Sequence, residues 1–297
     1  MLRDIKIDFI AKTKIGIIFS STLIVLGIIS LLINKGPNLS IDFTGGTVIR
    51  IELNENIQID EVRLILSQSS LNSSEITEIF EIGNPKKEFR IKTKVNSNIS
   101  ELNRELLNLL SSFNPQIRKI ENVGPKIGGE LQMQAVYAIC LALIMLMIYI
   151  GFRFDSFYAF GSVLAIVHDV MFTLGIFSIL QLEIDLSIVA AFLTIVGYSL
   201  NDTIVIFDRF RENSEKDLDL NLNQLANLSL NQTLSRTIIT SLTTLIVVII
   251  LYFIGGEVIK YFAFALIIGV LVGTYSSIFV ASPFMLYLKS KYKDKGE

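Results

Sequence analysis

Residues 184–207 read IDLSIVAAFLTIVGYSLNDTIVIF, a run long enough to cross a bilayer as a helix, with the carboxylate of Asp202 set inside it. An ionisable side chain at such a depth costs about 2.5 to 3.5 kcal/mol on insertion scales, so a span that keeps one is read first as a functional span. The next apolar segment opens on a candidate counter-charge, Arg236.

Five further windows of similar character flank this one, at 15–33, 133–150, 157–180, 237–254 and 261–288. Each approaches the twenty or so residues that a helix rising about 1.5 Å per residue needs to span a membrane. With 51% hydrophobic and only 18% charged residues, the 297-residue chain reads as a polytopic α-helical membrane protein of six spans and excludes a soluble enzyme. The net charge of -2 comes with no basic block that would point to nucleic acid. Cys140 is the only cysteine and His168 the only histidine, so no internal disulfide can form, no metal site is expected, and no cofactor motif is seen.

Lys12 and Lys14 precede the first span as in a secretory signal, but the apolar stretch is too long and no A-x-A site follows, which predicts an uncleaved anchor. Four basic residues precede that span, one lies at Arg153, four lie from Arg209 to Arg236, and four follow the last span. The opposite short loops hold only Lys260, so both termini and the 208–235 loop are expected in the cytoplasm and the long loop outside. The expected layout is a cytoplasmic segment 1–14, the first span, an extracytoplasmic domain 34–124, a bundle 125–288 holding the other five spans, and a cytoplasmic tail 289–297.

The long loop has its own pattern. Residues 47–53 (TVIRIEL) alternate as a strand, 57–69 have helical spacing, and 76–82 and 88–94 are strands flanking the turn Gly83-Asn84-Pro85-Lys86. A second helix is expected over 99–113 and a last strand over 116–122. The order βαββαβ is that of a ferredoxin-like split βαβ unit, and about ninety residues can bury a core. Gly45-Gly46, just before the first strand, reads as a turn or bulge that needs unusual backbone angles.

Helical periodicity sorts the polar residues of the spans onto faces. Tyr198, Ser199 and Asp202 share a narrow arc of the fourth span, with Thr194 and Asn201 at its edges. Tyr158, Ser162, Asp169 and Thr173 share a face of the third, and Arg236, Thr240 and Thr243 one of the fifth. Three polar stripes are what a hydrated path or proton relay requires. Asp202 lies six residues before Asp208, about 9 Å inside the cytoplasmic end, within reach of Arg236 if the two helices adjoin. Burial and a neighbouring arginine pull a carboxylate's proton affinity in opposite directions, so such an acid responds to helix movement. The plainer reading is an ion pair pinning two helices. Asp169 reads equally as a packed polar residue or a relay, whereas His168 lies about a quarter turn off its stripe and reads first as packing. In the last span Ala265, Gly269, Gly273, Ser277 and Ala281 recur every fourth residue, a ridge that admits a close helix neighbour.

Six strings resemble the SecF family of bacterial translocation subunits: residues 41–47 (IDFTGGT), 123–128 (VGPKIG), 151–154 (GFRF), 167–170 (VHDV), 197–213 (GYSLNDTIVIFDRFREN) and 231–237 (NQTLSRT). The likeness runs through the chain in the family's order. It implies a member of the resistance-nodulation-division superfamily in the bacterial inner membrane. Such a subunit pairs with SecD in a twelve-span assembly that uses the proton motive force to help draw preproteins through the SecYEG channel, with YajC and YidC as possible further partners. It also implies a proton path through Asp202 and Arg236, with Asp169 and Tyr198 as further candidates, and motif roles for Asp42, Gly45, Gly46, Asn201, Thr203, Asp208 and Arg209. The outer domain would bind the emerging preprotein or contact other subunits. Residues 212–230 are rich in Asn and Leu and match no motif.

Three rival functions compete with this one. Asp169 and Asp202 could form an intramembrane protease dyad, but an arginine beside one member undoes the like-charge coupling that a dyad needs, and Asn201 stands where such proteases have glycine. Half of a small-molecule or lipid exporter of the same superfamily is the closer alternative, although such exporters join both six-span halves in one chain. ATP-driven transport lacks any G-x-x-x-x-G-K-[ST] string. The expectation is a proton-coupled transport subunit with no hydrolytic centre.

Overall fold

The computed structural model describes residues 6–53, 57–72, 74–79, 87–93, 99–216 and 219–293. The elements run α1 (Thr13–Ile33), α2 (Ile41–Thr44), β1 (Gly46–Leu53), α3 (Ile59–Ser67), β2 (Glu75–Ile79), β3 (Lys87–Thr93), α4 (Ile99–Leu109) and β4 (Gln116–Val123). They continue with α5 (Pro125–Arg153), α6 (Ser156–Ile179), α7 (Leu186–Ser214), α8 (Leu222–Ile254), α9 (Glu257–Ser276), a π-helical turn (Ser277–Ala281) and α10 (Ser282–Lys293). Two compact units result: Leu39–Val136, and Met1–Asn38 with Tyr137–Glu297.

In the first unit the strand order is β2-β3-β1-β4 with every neighbour antiparallel, so β3 lies between β1 and β2. Alternation places Ile49, Ile51 and Leu53 of β1 on one face. There they close over Val62 and Leu66 of α3, Phe89 and Ile91 of β3, and Leu102 and Leu106 of α4. On the other face Glu52 is buried and accepts from Arg118 Nε at 2.8 Å, while Arg50 donates to Glu88 at 2.5 Å. The expected turn at 83–86 and strand residues 80–82 and 94 lie outside the described residues.

The two glycines ahead of β1 have positive φ, 74° at Gly45 and 137° at Gly46, a region glycine enters without steric cost. Packing adds a second constraint. A Cβ on Gly45 would sit 2.7 Å from the Cα of Pro125, and one on Gly128 would sit 2.9 Å from the backbone N of Gly45 and the backbone O of Phe43. The strings at 41–47 and 123–128, separate in sequence, are therefore two sides of one tight joint where the start of α5 meets the entry to the sheet.

Six helical segments among the described residues are long and apolar enough to cross a membrane, and all but the first turns of α5 belong to the second unit. Burial ranks them: 56% of the apolar window is buried in α6, in α7 and in the last span, against 6% in α5 and 11% in α8. The core is thus α6, α7 and α9, with α1 laid on α6. Where helices touch without a hydrophobic driving force, small residues set the distance. Gly27 of α1 meets Gly175 of α6, where an added Cβ would lie 2.5 Å from a backbone carbon. Along α9 the four-residue ridge seats against a four-residue row of α7: Gly269 at Ile195, Gly273 at Ser199, and Ser277 at Thr203, whose hydroxyls lie 2.8 Å apart. The ridge is internal packing.

The fifth span departs most from expectation. Residues 208–235 are expected to form a cytoplasmic loop, yet α7 continues to Ser214 and α8 starts at Leu222, capped by the reciprocal hydrogen bonds of Asn221 and Gln224. The polar composition hid an amphipathic helix. Leu225, Ala226, Leu230 and Leu234 are buried with Phe9 and Phe210, while Asn227 and Asn231 face the chain's N-terminal segment. Asn231 Oδ1 accepts from Ile7 N at 2.8 Å and its Nδ2 donates to Ile7 O at 2.8 Å; Asn227 Oδ1 accepts from Phe9 N at 2.8 Å.

Candidate functional site

Asp202 is 3% exposed in the middle of the bundle. It reaches its place because α7, capped by Asp185 through Ile188 N, turns its Ser199–Asp202–Thr203 face to α9. Its Oδ2 accepts from Ser241 Oγ of α8 and Thr274 Oγ1 of α9, each at 3.4 Å, and those two hydroxyls lie 2.6 Å apart. Three helices meet at one carboxylate.

Arg236, the expected partner, forms no ion pair with Asp202 among the described residues. It is exposed on α8 and acts on the carboxylate only through space. The sequence reading placed Arg236, Thr240 and Thr243 on the inward face of this helix. The inward hydroxyls are instead Ser229, Thr233, Thr237 and Ser241, while Thr243 and Arg236 face out. One residue of helix is a rotation of about 100°, so anchoring the face on the charge rather than on the buried hydroxyls turned it away from the core.

Asp169 of α6 is fully buried. Its Oδ2 accepts from Ser199 Oγ of α7 at 2.5 Å and Ser276 Oγ of α9 at 2.8 Å, while Oδ1 lies 2.9 Å from His168 Nδ1. The expected face of α6 is inside as a whole, since Tyr158, Ser162, Asp169 and Thr173 are all buried. On α7, Ser199 is buried, Tyr198 is half-buried with an unpartnered hydroxyl, and Thr194 and Asn201 are exposed.

The two carboxylates do not touch as a protease dyad would. Hydroxyls join their surroundings instead. Ser199 and Asp202 are three residues apart on α7, about 4.5 Å along its axis, and opposite them Thr274 serves Asp202 while Ser276 serves Asp169. Ser277 pairs with Thr203 as the last span loosens into its π-helical turn, a feature that recurs at functional sites. Sequence reading missed Thr274, Ser276 and Ser241. The signal available was the run Thr274-Tyr275-Ser276-Ser277, polar residues in a span counted only for its small side chains.

The remaining motif positions lie elsewhere. Asp208 accepts from Arg153 and Arg211, each at 3.3 Å, and both guanidinium groups lie over the Phe154 ring. Arg209 pairs with Glu212 on the helix surface. Asn213 donates to Ser229 and Gln232 and so ties α7 to α8. Asp42 sits in α2, where its backbone N–H is capped by Ser40 Oγ. These groups brace the fold rather than the buried carboxylates.

Residues 104–291 match the family described as "Protein export membrane protein SecD/SecF, C-terminal", and residues 30–56 match the "SecD/SecF GG Motif". The chain belongs to the SecD/SecF family. A protein of Calditerrivibrio nitroreducens named protein translocase subunit SecF is 41% identical over 297 residues, covering 98% of this chain and 96% of the relative. The Haemophilus influenzae protein of the same name is 43% identical over 276 residues, 92% of this chain and 83% of the relative. A Thermus thermophilus relative named protein translocase subunit SecDF is 41% identical across 87% of this chain, which matches 35% of that protein. The crystal structure of SecDF from that organism superposes with a TM-score of 0.87 at 38% identity over 98% of this chain. This chain spans 40% of the length of that one. Family membership and six apolar helices make this a multi-pass membrane protein and a translocase subunit of the SecF type.

Proposed function

We propose that the chain is the SecF-type half of a complex that couples inward proton flow to preprotein export. It works with a SecD-type subunit at the SecYEG channel, with both termini in the cytoplasm and the Leu39–Val136 unit outside, against the emerging preprotein. The observation that carries this reading is the setting of Asp202, a buried carboxylate held between three helices by hydroxyls alone, with a cation near but not paired. An ion pair fixed at 2.8 Å would be a rivet. A carboxylate whose charge is relieved either by a proton or by the approach of Arg236 has two states, and they favour different helix positions. Each proton crossing is worth about 2.3 kcal/mol per 100 mV of membrane potential. The SecDF relatives, which carry both names in one chain, support the pairing.

The test is Asp202→Asn, which keeps size and the hydroxyl contacts and removes titration. The variant is expected to insert, bind its partner and lose the proton-dependent stimulation of export in inverted vesicles. Wild-type stimulation by a stably inserted variant would overturn the assignment. Arg236→Lys keeps charge but not fork geometry, and a partial loss is expected; unchanged proton flux there would remove Arg236 from the path.

A further inference from the structure

His168 lies between the buried carboxylate Asp169 and a cavity. Its Nδ1 is bonded to Asp169 Oδ1 at 2.9 Å, while its Nε2 is buried and has no partner. The imidazole, 8% exposed, forms part of the wall of a cavity of about 580 Å³ between α1, α6 and the end of the last span. Beside the cavity α1 and α6 touch at Gly27 and Gly175, and Phe279 of the last span packs on Gly16. Besides His168, the lining brings the hydroxyls of Thr13, Ser20, Ser21 and Tyr287. The rest of the lining is apolar, so the imidazole and these hydroxyls are its polar points.

We infer that His168 is a proton-transfer residue that connects this cavity to Asp169, making Asp169 a second proton-holding station beside Asp202. The inference rests on the proton-path reading above. In the proposed sequence Asp169 starts as a carboxylate that accepts from Ser199, Ser276 and the Nδ1–H of His168, so that the lone pair is on Nε2. A proton taken up at Nε2 gives the imidazolium, and the Nδ1 proton then passes to Oδ1. His168 is left neutral with its proton on Nε2, and Asp169 becomes a neutral acid. One proton has moved inward and no electron has been transferred. The acid can next turn its proton toward Ser199 or Ser276, the hydroxyls that adjoin the setting of Asp202. Histidine suits this step because its two nitrogens exchange donor and acceptor roles.

The groups packed around His168 and Asp169 are hydroxyls and rings, with one carboxylate a turn away. From α9, Tyr275 stacks on the imidazole at 6.3 Å and 28° and gives its own proton to Gly16 O. From α7 come Ser199 and, one turn on, Asp202, with the half-buried Tyr198 beside them; α10 brings Tyr287 and α1 only hydroxyl and apolar side chains to the cavity. Lys289 is engaged with Tyr158 at 3.0 Å.

As the chain's only histidine, His168 gives an unambiguous signal in full-length protein labelled with 15N-histidine, purified on a histidine-free tag and reconstituted in lipid bilayers. Solid-state NMR is expected to show the Nδ1–H tautomer in wild type and a different ring tautomer or protonation state in Asp169→Asn at the same pH. An Nε2–H tautomer in wild type, or the same ring state in both proteins, overturns the inference. In the export assay His168→Gln, at normal membrane abundance, is expected to lower proton-dependent stimulation at least tenfold. Wild-type stimulation in His168→Gln with loss in Asp202→Asn would remove His168 and leave the main path standing. Wild-type stimulation in Asp202→Asn would remove the main path, and the NMR comparison would still decide the role of His168. If the glutamine variant fails to accumulate, the wild-type and Asp169→Asn spectra carry the decision.

Discussion

At Asp169 two hydroxyls from two helices donate to one carboxylate oxygen, whereas seven residues earlier on α6 the buried hydroxyl of Ser162 has no partner. The two serines should therefore respond oppositely to the same substitution. Ser276→Ala strips a donor from a buried carboxylate and is expected to destabilise by about 1 to 3 kcal/mol, whereas Ser162→Ala removes an unsatisfied group and is expected to be neutral or stabilising. Thermal unfolding of the two variants in one detergent checks both; equal losses would mean that the hydrogen bonds at Asp169 contribute nothing beyond packing. This contrast was not legible in the sequence. The 3.6-residue period placed Ser162 and Asp169 on one buried face, because face membership depends on spacing alone. Which hydroxyl finds a partner depends on what α7 and α9 bring opposite it, and a single helix does not contain that information. The same limit misplaced the inward face of α8, where a long charged side chain was taken to mark the core although Thr237 and Ser241, one and five residues on, are the buried ones.

Among the helices, the N-terminal turns of α8 show how composition misleads. Asn and Leu alternate there at amphipathic spacing, and the asparagines satisfy the turn ahead of α1 rather than solvent: Asn227 Oδ1 accepts from both Phe9 N and Ile10 N, and its Nδ2 donates to Asp8. Asn227→Ala is expected to cost about 1 to 3 kcal/mol and to raise amide exchange at Phe9 and Ile10 while leaving α9 protected. Unchanged exchange at those two amides would show that the clasp is not held by Asn227. Asp8 adds a pH dependence. The Ala11 N–H, then the Asn227 side chain and the Lys12 charge, hold its carboxyl below the ordinary value. Folding thus favours the charged form, so its contribution is present above the ordinary carboxylate value and is lost as pH falls through the lower folded-state value. Exchange at Ala11 is expected to rise in acid in wild type, and Asp8→Asn to remove that rise. Helix pairing gives a sharper test. Gly27→Ala would drive a methyl group into the Gly175 backbone and is expected to cost about 1 to 3 kcal/mol. Gly197→Ala, with open space around its position, is expected to gain up to about 1 kcal/mol from helix propensity. Similar unfolding temperatures for the two would mean that α1 and α6 separate without cost.

Across the whole molecule, the count of spans and the βαββαβ order were legible because both follow from hydrophobic period and length, which a chain carries locally. The double-glycine joint was half legible: the need for positive φ could be read, but not that Gly128 and Pro125, some eighty residues on, close over the same turn. The burial pattern raises the remaining question, since α5 and α8 keep most of their apolar windows uncovered while α6, α7 and the last span form a tight core. In the Thermus thermophilus SecDF relative, this chain's match fills 35% of one longer polypeptide, so nature places the two named halves in cis. If the halves are partners here, joining a SecD-type subunit through a flexible linker to the N-terminal end of this chain should be tolerated, because residues 7–10 are held beside α8 by their own hydrogen bonds. The fusion is expected to restore export in a strain lacking both subunits, and the same fusion carrying Asp202→Asn is expected to accumulate equally and fail to restore it. A fusion that accumulates in the membrane but does not restore export, in a strain rescued by the two separate chains, would show that the N-terminal anchoring and the cis arrangement are incompatible in this protein. Rescue by the Asp202→Asn fusion would instead place the proton path in the partner half alone.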